Sequence, residues 1–82
     1  MAAIVSSCDE SGNAILSQRN KFYKGDVLEL LLPKQPPIAF TVEDMYDDDG
    51  AELEDTRHAQ MNIHTRLPVP APKYAVIRKK NP

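Results

Sequence analysis

The chain has 82 residues, a hydrophobic fraction of 41% and a formal net charge of −2, from 10 Lys and Arg against 12 Asp and Glu. This length predicts one domain, and the charge does not mark the whole chain as a nucleic-acid binder. The only cysteine, Cys8, excludes an intramolecular disulfide and fits a cytoplasmic location, and no apolar run approaches the roughly 18–20 residues of a membrane span.

The first predicted elements form a β-hairpin. Ala3–Cys8 and residues 14–18 are short strand-like runs, and the Asp-Glu-Ser-Gly-Asn segment at residues 9–13 separates them. Gly and Asn accept positive φ angles, so this separating segment is typical of a turn. We therefore expect the two runs to pair with each other.

The most apolar stretch is residues 27–32, read as VLELLL, between a Gly-Asp pair and Pro33. Six residues bounded in this way predict a strand, because a helix needs about 10–12 residues. Both alternating faces are mostly apolar, so we expect the strand to be covered on both sides. Glu29 then needs a charged partner or a route to water.

Three later segments are also predicted strands: residues 38–44, 59–67 and 74–78. Residues 51–55 are too polar to assign, and no segment shows the period of a helix. We therefore predict an all-β fold, a small single-domain β-barrel over residues 1–82 with about six short, mostly antiparallel strands.

The best candidate for a binding surface is a basic-aromatic cluster before the apolar strand, made of Arg19, Lys21, Phe22, Tyr23 and Lys24. Aromatic rings can stack on bases, and cations can hold phosphates. The alternative is structural, because an aromatic ring beside a glycine turn more often packs into a core. In that interpretation Phe22 closes one end of the barrel.

The structural interpretation also assigns roles to the polar neighbours of the cluster. Asn20, Gly25 and Asp26 would form a structural turn. The two interpretations can coexist, with Phe22 pointing inward and the cations outward. Four further cations would extend the surface if the last strands lie nearby, which the sequence leaves open: Arg66, Arg78, Lys79 and Lys80.

The acidic run at residues 47–49, followed by Gly50, invites a calcium-loop interpretation. If Gly50 were the sixth loop position, Met45 and Thr56 would stand where an EF-hand needs carboxylates. A solvated turn is the simpler interpretation of this charge run.

Zinc and nucleophilic catalysis find equally little support. His58 and His64 are the only histidines, and no second cysteine joins Cys8, so a zinc site lacks ligands. A catalytic arrangement of Cys8 or Ser17 with a histidine and an aspartate is not indicated by any spacing. We therefore predict no catalytic, cofactor-binding or metal-binding residue.

A family resemblance rests on the stretch that begins at Gln18. Gln-Arg-Asn-Lys-Phe, two residues, Gly-Asp, one residue and Leu-Glu together resemble the C-terminal domain of the collagenase-like peptidases, peptidase family U32. The resemblance continues through residues 40–42, 45–47 and 49–50, and returns at residues 75–78. It implies a small β-barrel that follows a larger catalytic domain. The catalytic residues of the family lie outside this domain, so none is carried over.

The resemblance implies a non-catalytic accessory domain that presents substrate or packs on the catalytic domain of its parent chain. The parent would be a peptidase, whereas the domain alone is expected to be inactive. Some family members are linked to collagen-type proteolysis and others to hydroxylation of RNA bases, so a protein or an RNA substrate is possible. The alternative is a nucleic-acid-contacting barrel like those of translation factors, which the basic-aromatic cluster favours and the acidic total charge disfavours. No membrane partner is expected.

The predicted strand at residues 38–44 gives a first test of the core. Phe40 lies in the middle of its apolar face, with Ile38 and Val42. If that face is buried, Phe40→Ala should lower the free energy of unfolding by about 3–5 kcal/mol. Denaturant unfolding measures the change, and a loss below about 1 kcal/mol would place Phe40 at the surface.

Overall fold

The computed structural model describes residues 1–56 and 61–80. These residues contain eight β-strands and no helix, so no described helix is long and apolar enough to cross a membrane. The strands are β1 (Ala3–Cys8), β2 (Asn13–Gln18), β3 (Val27–Leu31), β4 (Ile38–Thr41), β5 (Met45–Tyr46), β6 (Glu52–Leu53), β7 (Asn62–Arg66) and β8 (Val76–Lys79).

All eight strands belong to one antiparallel sheet, in the order β4-β3-β8-β1-β2-β7-β5-β6. The sheet curls into a half-barrel, and the predicted all-β, antiparallel architecture is confirmed. The predicted hairpin of the first two strands is present as β1 and β2. The long-range step is the return of β8, which lies between β1 and β3 and joins the two halves of the sheet.

The sheet has eight strands where about six were predicted. The two additional strands, β5 and β6, have two residues each, too few to show an alternating pattern in the sequence. The predicted strand at residues 38–44 is observed as β4 only as far as Thr41, although Val42 continues the pairing with one hydrogen bond, from its N–H to the carbonyl of Asp26. Part of the strand predicted at residues 59–67 lies outside the described residues.

The turn between β1 and β2 requires a glycine. Gly12 has a φ of +88°, and its carbonyl accepts the N–H of Leu67 at 2.8 Å. A Cβ atom at this position would lie 2.5 Å from the Leu67 carbonyl oxygen. Any larger residue would therefore push the chain after β7 away from the hairpin.

The prediction that β3 is covered on both faces is wrong. Leu28 and Leu30 are fully buried, but Val27 on the other face is 42% exposed. All eight strands lie in one sheet, so no second layer of strands or helices covers its outer face within the described residues. On that outer face Glu29 has the charged partner it was expected to need, since Arg78 Nε donates to Glu29 Oε1 at 2.9 Å.

The main aromatic side chain of the core is Phe22 rather than Phe40. Phe22 is the largest fully buried side chain, whereas Phe40 is only partly buried and packs at the edge of the core. The face assignment of β4 was right, because Ala39 and Thr41 are exposed. Partial burial nevertheless means that Phe40→Ala should cost less than the predicted range, and the larger cost now belongs to Phe22.

The backbone around Phe22 is held by Thr56. The N–H of Phe22 donates to Thr56 Oγ1 at 3.0 Å, and the N–H of Thr56 donates to the Phe22 carbonyl at 3.1 Å. Both residues are buried, so neither backbone group can turn to water instead. Thr56 lies 34 positions after Phe22, so these hydrogen bonds link the β2–β3 connection to the chain that follows β6.

This contact predicts the effect of one isosteric substitution. Thr56→Val keeps the side-chain volume but leaves the buried Phe22 N–H without an acceptor, which should lower the free energy of unfolding by about 1–3 kcal/mol. Thr41→Val is the matched control, because Thr41 is exposed on β4, and it should change stability by less than about 0.5 kcal/mol. Urea unfolding of the two variants decides the matter, and equal effects would mean that the Phe22–Thr56 bonds contribute nothing.

Candidate nucleic-acid interface

The basic-aromatic cluster lies in the connection from β2 to β3, which folds as a compact turn. Gly25 has a φ of +94°, and the Asp26 N–H donates to the Tyr23 carbonyl at 3.0 Å. The carboxylate of Asp26 accepts the Tyr23 N–H at 2.9 Å. The Asn20 side chain donates to the Met1 carbonyl at 2.6 Å. Asn20, Gly25 and Asp26 therefore fix the path of the backbone between the exposed side chains.

Phe22 does not belong to the surface of this cluster. Its side chain is fully buried in the core, so its ring cannot stack on a base. The sequence could not decide between the two orientations, because the chain leaves a strand here and alternation no longer applies. Tyr23, the neighbouring aromatic, is 46% exposed and keeps its ring at the surface.

Lys24 is also separated from the rest of the cluster. Its Nζ lies 3.5 Å from Glu52 Oε1 and 3.9 Å from Asp44 Oδ1. The charges of Glu52 and then Glu54 raise the pKa of Lys24 above its usual value. The ammonium group is therefore charged at neutral pH but already lies among carboxylates, where a phosphate would be repelled.

Backbone hydrogen bonds connect the remaining exposed members of the cluster to the end of β8. The Arg19 N–H donates to the Ala2 carbonyl at 2.8 Å, and the Ala2 N–H donates to the Ile77 carbonyl at 2.8 Å. Ile77 lies on β8, two residues before Lys79. On the other side of β8, the Lys80 N–H donates to the Val27 carbonyl at 3.2 Å, next to the Tyr23 turn. We call this set the basic rim: Arg19, Lys21, Tyr23, Lys79 and Lys80.

The cations of the basic rim are available to a ligand. Arg19, Lys79 and Lys80 are exposed and form no ion pair with a carboxylate in the described part of the chain. The Nζ of Lys21 lies 5.2 Å from the centroid of the Tyr23 ring, a cation–π contact at the surface. The rim thus combines four cations with one exposed aromatic ring.

Two other candidate cations lie elsewhere. Arg78 is engaged with Glu29 on the outer face of the sheet. Arg66 ends β7 opposite Asn13, at the other end of the β1–β2 hairpin, so it is not part of the rim. The sequence could not show whether these cations lie near the cluster, because the positions of β7 and β8 in the sheet depend on long-range pairing that no local pattern reveals.

The acidic run is a turn held by its own side chains. Asp47 Oδ1 accepts the N–H groups of Asp49 and Ala51, each at 2.9 Å. Asp48 accepts from Asn62 and lies 2.8 Å from His64 Nε2, and these hydrogen bonds lower the pKa of the Asp48 carboxyl. No group of three or more potential metal ligands occurs among residues 1–56 and 61–80.

The residues weighed for catalysis do not form a reactive arrangement where the structure describes them. Cys8 Sγ donates a hydrogen bond to the carbonyl of Asp9, at 3.5 Å, and Cys8 otherwise packs against the core. His64, which lies on β7, is hydrogen-bonded to Asp48 and forms no hydrogen bond with Cys8 or Ser17. His58, the other histidine considered for zinc, lies outside the described residues.

Comparison with known proteins gives one curated relative and two closely similar structures. The chain is 39% identical over 65 residues to the tRNA hydroxylation protein P1 of Bacillus subtilis (strain 168). That match covers 78% of this chain and only 15% of the relative. This chain therefore corresponds to a small part of the length of that protein.

The structural matches cover almost the whole fold. The crystal structure of the C-terminal domain of a U32 peptidase of Geobacillus thermoleovorans has a TM-score of 0.92 and 32% identity, and the match covers 99% of this chain and 92% of that one. Its selenomethionine variant has a TM-score of 0.86 and 33% identity, with coverages of 95% and 96%. The family model for the peptidase family U32 C-terminal domain matches residues 1–78, so this chain belongs to that family.

Proposed function

We propose that this domain is a non-catalytic accessory module of a U32-family protein and that it presents an RNA substrate through the basic rim. The observation that carries the proposal is the rim itself, which combines four cations that form no ion pair among the described residues with the exposed ring of Tyr23. Cations bind phosphates and an exposed aromatic ring stacks on bases, which is the usual combination on surfaces that hold single-stranded RNA.

The similarity to a tRNA hydroxylation protein supports RNA over protein as the substrate class. On the basis of that similarity, we propose tRNA as the substrate and the cytoplasm as the location of the protein. Acidic residues of the β5–β6 region oppose a broad approach of a polyanion, because Asp44, Glu52 and Glu54 surround Lys24. The rim would therefore guide RNA from one side only.

A second candidate function is packing on the catalytic domain of the parent chain, favoured by an apolar surface away from the rim. Tyr74 is 72% exposed with a φ of +75°, and it lines a groove of ≈ 400 Å³ with Leu32, Pro33 and Pro72. A large aromatic side chain beside exposed apolar groups is typical of a contact surface. The groove and the rim use different residues, so one domain can perform both tasks.

The RNA proposal predicts a salt-dependent affinity that one multiple variant removes. Four phosphate contacts should give a slope of log K against log salt of about −3 to −4. Replacing the four rim cations Arg19, Lys21, Lys79 and Lys80 by alanine should abolish most of that slope for a tRNA transcript. Stability should change little, because exposed charges contribute about 0–1 kcal/mol.

The matched control removes the same residue types elsewhere. Alanine at Arg66, Lys24, Lys34 and Lys73 lowers the net charge equally and leaves the rim intact. The control should retain the salt slope and most of the affinity. Equal losses in the two quadruple variants would show that only net charge matters, and no measurable tRNA binding by the unchanged domain would leave the packing function as the better account.

The accessory role also predicts no activity of the isolated domain. Neither Cys8 nor Ser17 has a general base within hydrogen-bonding reach in the described structure, so the domain should not cleave gelatin or casein above buffer. Cleavage is followed by release of labelled peptide. Activity that co-purifies with the domain and disappears in Cys8→Ala or Ser17→Ala would contradict the accessory role.

A further inference from the structure

Strand β4 ends the sheet and has one free edge. Val42 donates its N–H to the Asp26 carbonyl at 2.9 Å, and hydrogen-bonded pairs recur at every second residue of an antiparallel ladder. Phe40 therefore turns its backbone groups toward β3. The N–H and C=O groups of Ala39 and Thr41 point away from the sheet, and no described strand pairs with them.

This edge lacks the usual protection against added strands. Exposed edge strands commonly carry lysine or proline, or are covered by another segment. The residues of β4 read IAFT, with no charge and no proline, and both Ala39 and Thr41 are exposed. The opposite edge of the sheet differs, because β6 has only two residues. The free edge of β4 is thus a ready template for one more strand.

The C-terminal half of the free edge also borders a wide groove. Phe40 and Thr41 line this groove of ≈ 1010 Å³, together with Glu43, Asp44 and Tyr46. Its other wall consists of the β1–β2 turn and the end of β7. Tyr46 is 38% exposed, so the groove offers an aromatic surface beside open backbone donors and acceptors.

The charges that line the groove are mainly negative. The carboxylates of Asp9, Glu43 and Asp44 line the groove. Among its lining residues the cationic groups are Arg66 and, when protonated, His64, which is hydrogen-bonded to Asp48. Hydrogen bonds from Asn13 lower the pKa of the Asp9 carboxyl, which keeps it charged. Carboxylates in this arrangement attract ammonium and guanidinium groups and repel phosphates.

We propose that this groove binds an extended peptide segment with lysine or arginine side chains, which adds to β4 as a further strand. Backbone hydrogen bonds to Ala39 and Thr41 would supply the register. The carboxylate of Glu43, which has no ion pair among the described residues, would select for cations. The site is separate from the basic rim, and it takes protein rather than RNA because its open groups match a peptide backbone.

The test uses a capped hexapeptide of alternating valine and lysine as the probe, followed by two-dimensional amide NMR of the domain. Binding should shift the Ala39 and Thr41 amide resonances saturably and slow their exchange with solvent. A probe with glutamate in place of each lysine should bind at least about tenfold more weakly. A single-stranded RNA oligonucleotide should leave these two resonances unmoved.

Two variants separate the backbone contribution from the charge contribution. Ala39→Pro removes an outward N–H and leaves the ladder to β3 intact, so it should weaken the lysine probe about tenfold. Glu43→Gln should weaken the same probe several-fold without affecting the fold. Its matched control is Glu10→Gln, because Glu10 is an exposed carboxylate that does not line the groove.

Three outcomes would overturn the proposal. The first is equal binding of the lysine and glutamate probes, which would remove the charge selection. The second is resonance shifts confined to residues away from β4. The third is unchanged affinity in Glu43→Gln together with unchanged affinity in a folded Ala39→Pro variant. If Ala39→Pro fails to fold, the Glu43→Gln comparison and the two probes decide the question alone.

Discussion

The hydrogen bonds between Phe22 and Thr56 fix the backbone from which the exposed side chains of the β2–β3 connection project. They lie within the buried part of the molecule, where an unpaired backbone group is costly, so the loop has one stable path. Phe22 is fixed inward, and Lys21 and Tyr23 on either side of it are exposed. The same contact ties the β2–β3 connection to the chain after β6.

The charge of the molecule is divided between two regions. The end of β8 and the β2–β3 connection carry unpaired cations, whereas the turn between β5 and β6 and the groove beside β4 carry carboxylates. This division explains how a chain with a net charge of −2 can still offer a surface for a polyanion. It also suggests two separate contacts, one for RNA at the basic rim and one for a basic peptide at the β4 edge.

Local patterns were sufficient for the strands that are long and alternate. The β1–β2 hairpin and the positions of β4 and β7 follow from alternation and turn residues, and the position of β3 follows from an apolar run bounded by turn residues. The two-residue strands β5 and β6 exist only because their partners hold them, so no local pattern could reveal them. The predicted burial of Val27 on β3 was wrong, because an apolar run does not show whether a second layer covers the sheet.

The candidate interface was predicted less completely than the fold, for the same reason. Arg19, Lys21 and Tyr23 were identified from composition, and all three are exposed. The acidic partners of Lys24 stand about 20 to 30 positions later in the chain, and Lys79 and Lys80 come from the last strand, so their placement depends on strand order. Spatial clustering of this kind is a property of the sheet rather than of any segment.

Native-state hydrogen exchange at the Thr56 amide measures whether the Phe22–Thr56 contact opens independently of the rest of the fold. If the Phe22–Thr56 bonds hold the molecule together, this amide should exchange only by global unfolding, as slowly as the amide of Leu16 in the buried middle of β2. Exchange as fast as that of an exposed loop residue such as Lys34 would mean that the connection opens independently. The basic rim would then have no fixed geometry, which would contradict the role of the Phe22–Thr56 bonds in holding it.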